Sequence, residues 1–167
     1  MNLAQGAIEA ARAAGADQYA PQEFAGAVEA LQQSEQAVTQ RDYRLALSRA
    51  IDSRERAQSA AKAAVVARAK ARGDAERVIA VVAIQLTQAH ERLKDPVIAR
   101  LPRRVLDNAQ RTLAAADQAM QEARAALASD DYAKALQHAN DASAQIQQAS
   151  GTLDSSGGGA TQQRRRR

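Results

Sequence analysis

Alanine is the feature that most restricts what this chain can fold into. Of its 167 residues 43 are alanine, and there is no Trp, one Phe and three Tyr. β-Sheet proteins draw on β-branched and aromatic residues that this chain mostly lacks. Alanine mixed with Gln, Glu, Arg and Lys has the highest helix propensity of any composition. We therefore predict an all-α protein.

The composition also limits the chemistry and the location of the protein. Cysteine is absent, which excludes disulfides, thiol catalysis and thiolate metal sites. The longest uninterrupted apolar run, residues 78–84, is too short to span a bilayer. The first residues do not form a signal peptide, so we expect a cytoplasmic protein or a mature form whose signal was removed.

Proline, glycine and aspartate divide the chain into helical segments. A first helix ends at Gly15, and Pro21 suits the first turn of a second. Asp42 and Asp131 are expected to cap the helices that follow them. The predicted helices are residues 3–14, 21–41, 43–94, a fourth that starts at or before Pro102 and ends near 127, and 132–153.

Gly73 is the one candidate break in the predicted helix 43–94. It either ends a helix, with Asp74 capping the next, or lies inside one long helix at a cost of about 1 kcal/mol relative to alanine. We favour continuity because helix-forming residues flank Gly73 without proline or serine clusters. A continuous helix of this length would be roughly 80 Å long.

Apolar residues at steps of three and four define the faces along which these helices pack. The second helix presents Phe24, Val28, Leu31 and Val38, the fourth Leu106, Ala109, Leu113, Ala116, Met120, Ala123 and Leu127, and the fifth Tyr132, Leu136, Ala139, Ile146 and Leu153. The expected fold is an elongated, antiparallel, coiled-coil-like helical bundle with one long central helix. It covers residues 1–153, and the Gly/Ser/Arg tail 154–167 is expected to be disordered.

An internal repeat is suggested by two similar turns. Asp42 and Tyr43 resemble Asp131 and Tyr132, with apolar residues continuing in step after each pair. Upstream, Pro21 and Phe24 correspond to Pro102 and Val105 if the second copy carries one extra heptad. The bundle would then consist of two similar units, residues 3–72 and 74–153.

The net charge of +4 comes from the last four residues, Arg164, Arg165, Arg166 and Arg167. This run is a candidate anion-binding tail. The rest of the chain alternates in sign, with net charges of −4 over residues 1–40, +8 over 41–104 and −4 over 105–154. We favour attraction between the segments as the meaning of this pattern, with a basic ligand-binding face as the alternative.

A search for catalytic and metal-binding motifs finds none. His90 and Glu91 begin a zinc-protease motif, but Lys94 stands where its second histidine would be. His138 and Asp141 share a helix face, and two ligands do not make a metal site. We therefore predict no catalytic, metal-binding or cofactor-binding residues, and no enzyme activity.

Six residues are predicted to have structural roles. Tyr43 and Tyr132 each follow a capping aspartate, and each ring is expected to plug the end of a helical hairpin with its hydroxyl at the surface. Phe24 is expected in the core. The full set of turn and core residues is Pro21, Phe24, Asp42, Tyr43, Asp131 and Tyr132.

The segment from Ala10 to Phe24, with its Gly15-Ala16 and Tyr19-Ala20-Pro21 steps, resembles a known family. The resemblance, which covers roughly residues 4–70, is to the alanine-rich helical domain of unknown function in bacterial cell-envelope proteins. These are often lipoproteins, and an OmpA-like peptidoglycan-binding domain sometimes follows. The family turn is commonly Gly-Asp-Tyr, and Arg41 stands here in place of that glycine.

The resemblance implies a periplasmic or envelope location and no assigned activity. We therefore expect a non-catalytic, envelope-associated helical scaffold or protein-interaction module, whose partner is unknown and which self-association would stabilise. One alternative is an amphipathic binder of lipid or anionic polymer surfaces through the basic central helix, with peripheral membrane contact. Another is a cytoplasmic coiled-coil partner with an anion-binding tail, although the lack of interleaved aromatic residues argues against nucleic acid.

Overall fold

The computed structural model describes residues 2–164, with side chains for residues 2–156. Within residues 2–164 every regular element is helical, which confirms the predicted all-α class. The α-helices are α1 (Asn2–Ala13), α2 (Ala16–Tyr19), α3 (Pro21–Thr39), α4 (Tyr43–Leu93), α5 (Arg103–Ala128) and α6 (Tyr132–Arg164), and a 3-10 turn lies at Ile98–Arg100. None of the described helices is both long enough and apolar enough to cross a membrane.

Helix α4 is the predicted long central helix. It runs for 51 residues without a break at Gly73, which confirms the continuous alternative. The added Cβ of an alanine at Gly73 would meet nothing within 4 Å, so neither a turn nor a close approach requires glycine there. Its termini also agree with prediction, because Asp42 precedes its first turn and Asp95-Pro96 follows its last.

The chain divides into two compact units within α4. Unit 1 is Met1–Lys70 and unit 2 is Ala71–Arg167. Unit 1 therefore contains α1, α2, α3 and the first part of α4, and unit 2 contains the last part of α4 with α5 and α6. Between the predicted helices 3–14 and 21–41 the chain forms the short helix α2, which the sequence analysis treated as a connector. Helix α2 begins after Gly15, whose backbone has the left-handed conformation.

The core of unit 1 is built from alanine and serine more than from its larger side chains. The buried face of α3 consists of Phe24, Ala27, Ala30, Ser34 and Ala37. The prediction that Val28, Leu31 and Val38 share the inward stripe with Phe24 is wrong in part, because Val28 and Leu31 are half-buried and Val38 is exposed. Small side chains on the facing sides of α3 and α4 let the two helices pack closely. The larger side chains of α3, apart from Phe24, lie beside this contact and not within it.

Two serine hydroxyls form hydrogen bonds between α3 and α4. Ser34 Oγ donates to the backbone oxygen of Ala46, and Ser53 Oγ donates to the backbone oxygen of Ala27, both at 2.8 Å. Both serines are fully buried. Each hydroxyl is thus satisfied by the backbone of the opposite helix, as a buried polar group requires.

The core of unit 2 follows the predicted apolar stripes more closely. On α5, Ala109, Leu113, Ala116, Met120 and Ala123 are buried as predicted, while Leu106 and Leu127 are half-buried. On α6 the buried residues include Tyr132, Ala139, Ile146 and Leu153, and Leu136 is half-buried. The part of α4 in unit 2 contributes Ala75, Ile79, Val82, Leu86 and Ala89.

The two helical hairpins, α3–α4 and α5–α6, bury corresponding positions when Asp42 is placed on Asp131. Six inward positions of α4 then coincide with six of α6, namely Ala46, Ala50, Ser53, Ala57, Ala60 and Ala64 with Ala135, Ala139, Ala142, Ile146, Ala149 and Leu153. Phe24 coincides with Leu113, which corrects the predicted match of Phe24 to Val105. Helix α5 is longer than α3, with 26 residues against 19, and the extra turns are at its N-terminal end.

Candidate functional site

The turns that close the two hairpins have the same backbone hydrogen bonds. Arg41 and Asp130 both have a φ of 61°, in the left-handed region. The next N–H, of Asp42 or Asp131, donates over 2.9 Å to the oxygen of Ala37 or Ala126, as in a Schellman motif. Each aspartate then caps the following helix, because its carboxylate accepts the N–H of Leu45 at 3.0 Å or of Lys134 at 3.2 Å.

The tyrosine after each turn has a different environment in the two units. Tyr132 is 3% exposed, and its hydroxyl lies 2.6 Å from the Asp130 carboxylate. Tyr43, in the same turn of unit 1, is 67% exposed. The ring of Tyr132 is buried at the hairpin end as predicted, but its hydroxyl is bonded to Asp130 and is not at the surface. For Tyr43 the prediction of a buried ring is wrong.

A third helix accounts for the burial of Tyr132. The segment of α4 that begins at Ala71 lies beside the α5–α6 turn. The pKa of the Arg72 guanidinium is raised, first by its hydrogen bond to Glu76 and also by the charges of Tyr132 and Asp130. Ala75, one turn further along α4, is fully buried. In unit 2 three helices therefore pack together along the whole α5–α6 hairpin up to its turn.

In unit 1 the corresponding helix is α1, and it does not reach the turn. Its buried residues Ala4, Ile8 and Ala11 have the same spacing as Val82, Leu86 and Ala89 of α4. The apolar cluster of α1 joins Ile8 and Ala11 to Phe24, Ala27, Ala57, Ala60 and Ala64, in the half of the α3–α4 hairpin that is remote from the turn. Beside the turn, no third helix from the described part of unit 1 covers α3 and α4.

The uncovered surface is a shallow apolar groove between the two helices of the hairpin. We call it the open groove and define it by Leu31 and Val38 of α3 and Tyr43 and Leu47 of α4. The matching residues of unit 2 are Met120, Leu127, Tyr132 and Leu136, and each is less exposed than its counterpart. Leu47, for example, is 63% exposed, whereas Leu136 is half-buried.

Two observations show that the matching residues of unit 2 face α4. Met120 lines a surface depression together with Leu86 and His90 of α4. Ser143, two helical turns after Leu136 on the same face of α6, lies 3.5 Å from the side-chain oxygen of Gln85. The open groove of unit 1 therefore corresponds to the surface of the α5–α6 hairpin that α4 covers in unit 2.

One further substitution makes this surface of unit 1 apolar. Ile51, one turn after Leu47, is 43% exposed, and the matching position in unit 2 is the exposed Asn140. Tyr43, Leu47 and Ile51 follow each other at intervals of four residues, so they form one row on α4. This row was detectable in the sequence as large apolar side chains off the Ala46, Ala50 and Ser53 stripe, and the sequence analysis missed it.

Both histidines of the chain lie within hydrogen-bonding distance of a carboxylate on α5 within unit 2. His90 Nε2 lies 3.0 Å from the Asp117 carboxylate, and His138 Nδ1 lies 3.2 Å from the Glu122 carboxylate. His138 and Asp141 line the same surface depression, as their spacing predicts, and the Glu122 carboxylate of α5 lies there with them. Among the described side chains, no group of three His, Asp or Glu residues could hold a metal ion.

The remaining predicted residues have the following positions. Pro21 begins α3 as predicted, and Phe24 is buried in the unit 1 core with the Arg12 guanidinium 5.6 Å from its ring centre. The side chains of Arg164, Arg165, Arg166 and Arg167 lie outside the described residues, so the anion-binding tail stays a prediction. Helix α6 extends to Arg164, and the predicted disorder of 154–167 also stays a prediction.

Comparison of the chain with family models, with curated proteins and with solved structures finds no match.

Proposed function

We propose that this protein is a non-catalytic helical scaffold that binds another protein through the open groove of unit 1. The observation that carries the proposal is the contrast between Tyr43 and Tyr132, which follow the same capped turn but are 67% and 3% exposed. A soluble surface normally places polar residues at such positions, and contiguous apolar patches mark sites of interaction. Ile51, next to the groove, is also exposed, and unit 2 has the polar Asn140 at the matching exposed position.

We further propose that the scaffold belongs to the bacterial cell envelope. This part of the proposal rests on the resemblance of the segment around Gly15 and Pro21 to the alanine-rich envelope domain. It is tested separately, by fractionating cells that express the full gene product from its own promoter. Recovery with the periplasm or membranes is the expected result, and recovery only with the cytoplasm contradicts it.

Site-specific photocrosslinking in the native cells tests the binding function. A benzophenone amino acid replaces Tyr43 in one variant and Val97, an equally exposed residue of unit 2, in the control. We expect a discrete protein adduct from position 43, absent from position 97 and lost when Leu47→Ser is added. Equal adduct patterns from both positions, or no adduct from position 43, would contradict the proposal.

A further inference from the structure

We propose that the ligand of the open groove is a short amphipathic helix of another protein, with an acidic side chain near its N-terminal end. This inference rests on the proposed function and adds the chemistry of the partner. Unit 2 serves as the template, because there the residues corresponding to the groove are covered by the α4 segment that starts at Ala71.

The template sets the direction and the length of the bound helix. In unit 2, Gln85 pairs with Ser143 and Arg92 pairs with Asp154, so α4 and α6 run parallel. By the same arrangement the ligand runs parallel to α4 in unit 1, with its N-terminal end beside Tyr43. A helix that runs beside α4 from Tyr43 to Ile51 has roughly ten residues.

The template also sets the apolar side of the ligand. The covering segment of α4 places Ala75 and Ile79, four residues apart, against the α5–α6 hairpin, and both are buried. A small residue allows close approach at the turn, and a larger one fills the space a turn further along. The ligand helix therefore needs a small residue followed four positions later by a branched apolar residue, the usual pattern of helix-in-groove recognition.

The charges around the groove are reversed relative to unit 2. Continued back along the parallel helices, the Gln85–Ser143 pairing places Arg72 level with Asp130. The position of Asp130 is taken by Arg41 in unit 1, and the position of Arg124 on α5 is taken by Glu35 on α3. A ligand with an acidic residue at the place of Arg72 would meet Arg41 favourably. An acidic residue in the first turn also suits the helix dipole.

A single helix fits this surface better than a second copy of the chain does. The groove offers four side chains, whereas a stable interface buries about 800 Å² on each partner. Two open grooves facing each other would still bury only these four side chains on each partner. A single ligand helix would contact both α3 and α4, as the later segment of α4 contacts both α5 and α6 in unit 2.

The test uses the full chain and a synthetic peptide with the sequence of residues 71–86. The changes Arg77→Lys and Val81→Asp, at exposed positions four apart, allow a lactam bridge that holds the peptide helical. Two versions are compared by fluorescence anisotropy at low salt, one with Arg72 and one with Arg72→Glu. We expect the Glu version to bind the chain roughly two- to five-fold more tightly, the range for one exposed ion pair.

Protein variants then locate the binding and its charge preference. We expect Arg41→Glu to reverse the order of the two peptides and Leu47→Ser to weaken both roughly four-fold or more, the loss for a leucine that becomes half-buried as Leu136 is. Val97→Ser, a matched change outside the groove, should have no effect. Circular dichroism checks that each variant stays folded, which is expected because Arg41, Leu47 and Val97 are exposed.

Several outcomes would overturn this inference. Failure of the helical peptide to bind would do so, as would equal binding of both versions before and after Arg41→Glu. A Leu47-dependent dimer in sedimentation equilibrium would assign the groove to a second copy, and Leu47-dependent binding to anionic vesicles would assign it to a lipid surface. A crosslink from position 43 without peptide binding would leave the proposed function standing and reject only the helical, acidic ligand.

Discussion

Two buried hydroxyl groups distinguish unit 1 from unit 2 at the scale of single residues. Ser34 and Ser53 donate across the α3–α4 contact, and Ala123 and Ala142 take their places in unit 2. We expect Ser34→Ala and Ser53→Ala each to lower the free energy of unfolding by about 0.5–1.5 kcal/mol, because the accepting carbonyls keep their helical bonds. Ser34→Val should cost more, about 1–3 kcal/mol, since it overpacks a close contact.

Urea denaturation followed by circular dichroism measures these three changes. The matched control is Ala123→Ser, which places a hydroxyl at the same position of unit 2. If Ser34→Val proved less destabilising than Ser34→Ala, the close approach of α3 and α4 would be contradicted.

The capping aspartate of α6 gives unit 2 a predictable dependence on pH. The pKa of Asp131 is lowered, first by its hydrogen bond with the Lys134 side chain and then by the Lys134 backbone N–H. A carboxyl group with a lowered pKa in the folded state stabilises that state above its unfolded pKa, near 4. This contribution is lost as the pH falls through the folded value.

We therefore expect Asp131→Asn to lower the melting temperature at pH 7 and to lose this effect progressively below about pH 4. Lys134→Met removes the ammonium partner but leaves the cap, and it should produce part of the same change. Thermal unfolding at a series of pH values measures both variants. A difference between wild type and Asp131→Asn that stays constant down to pH 2 would contradict the assignment.

Glycine has opposite roles in two elements of the fold. Gly73 lies inside α4 with free space around it, whereas Gly15 has a φ of 81° between α1 and α2. We expect Gly73→Ala to stabilise the protein by about 0.8–1.0 kcal/mol, the difference in helix propensity. Gly15→Ala should destabilise it by about 1–2 kcal/mol because alanine is strained in the left-handed region.

The added methyl group at Gly15 would also lie 3.2 Å from the Tyr19 ring. Thermal and urea unfolding of both variants and of the wild type, under the same conditions, measure these two changes. A destabilising Gly73→Ala would show that α4 is not a regular helix at this point.

The element boundaries were predictable from the sequence because each depends on local chemistry. Asp42 and Asp131, each beside a turn, and Pro96 mark helix ends here. The inward face of α3 was less predictable, because the polar residue Ser34 takes a fully buried position against α4. The exposure of Tyr43 was not predictable from its turn, since Tyr132 follows an almost identical turn. The difference between them lies in a third helix, which is distant in the sequence from Tyr43 and from Tyr132.

At the scale of the whole molecule, the two units differ in how much of each hairpin a third helix covers. Residues 43–51 of α4 have α3 as their neighbour near the turn, whereas the matching residues 132–140 of α6 pack against both α5 and α4. Helix capping and turn geometry are the same in both. The Ser34 hydroxyl adds a hydrogen bond to residues 43–51. A lower local stability of this segment is therefore attributed to the third helix that covers residues 132–140.

Amide hydrogen exchange with mass spectrometry measures this difference directly. We expect residues 43–51 to exchange at least roughly ten-fold faster than residues 132–140, because local opening is easier where fewer buried contacts must break. Leu47→Ser should leave the rate of residues 43–51 nearly unchanged, since that side chain is already 63% exposed. The lactam-bridged peptide with Arg72→Glu should slow exchange in residues 43–51 and not in 132–140. Equal exchange of the two segments in the free chain would mean that the hairpin of unit 1 needs no third helix, and the reason for expecting a helical ligand would be lost.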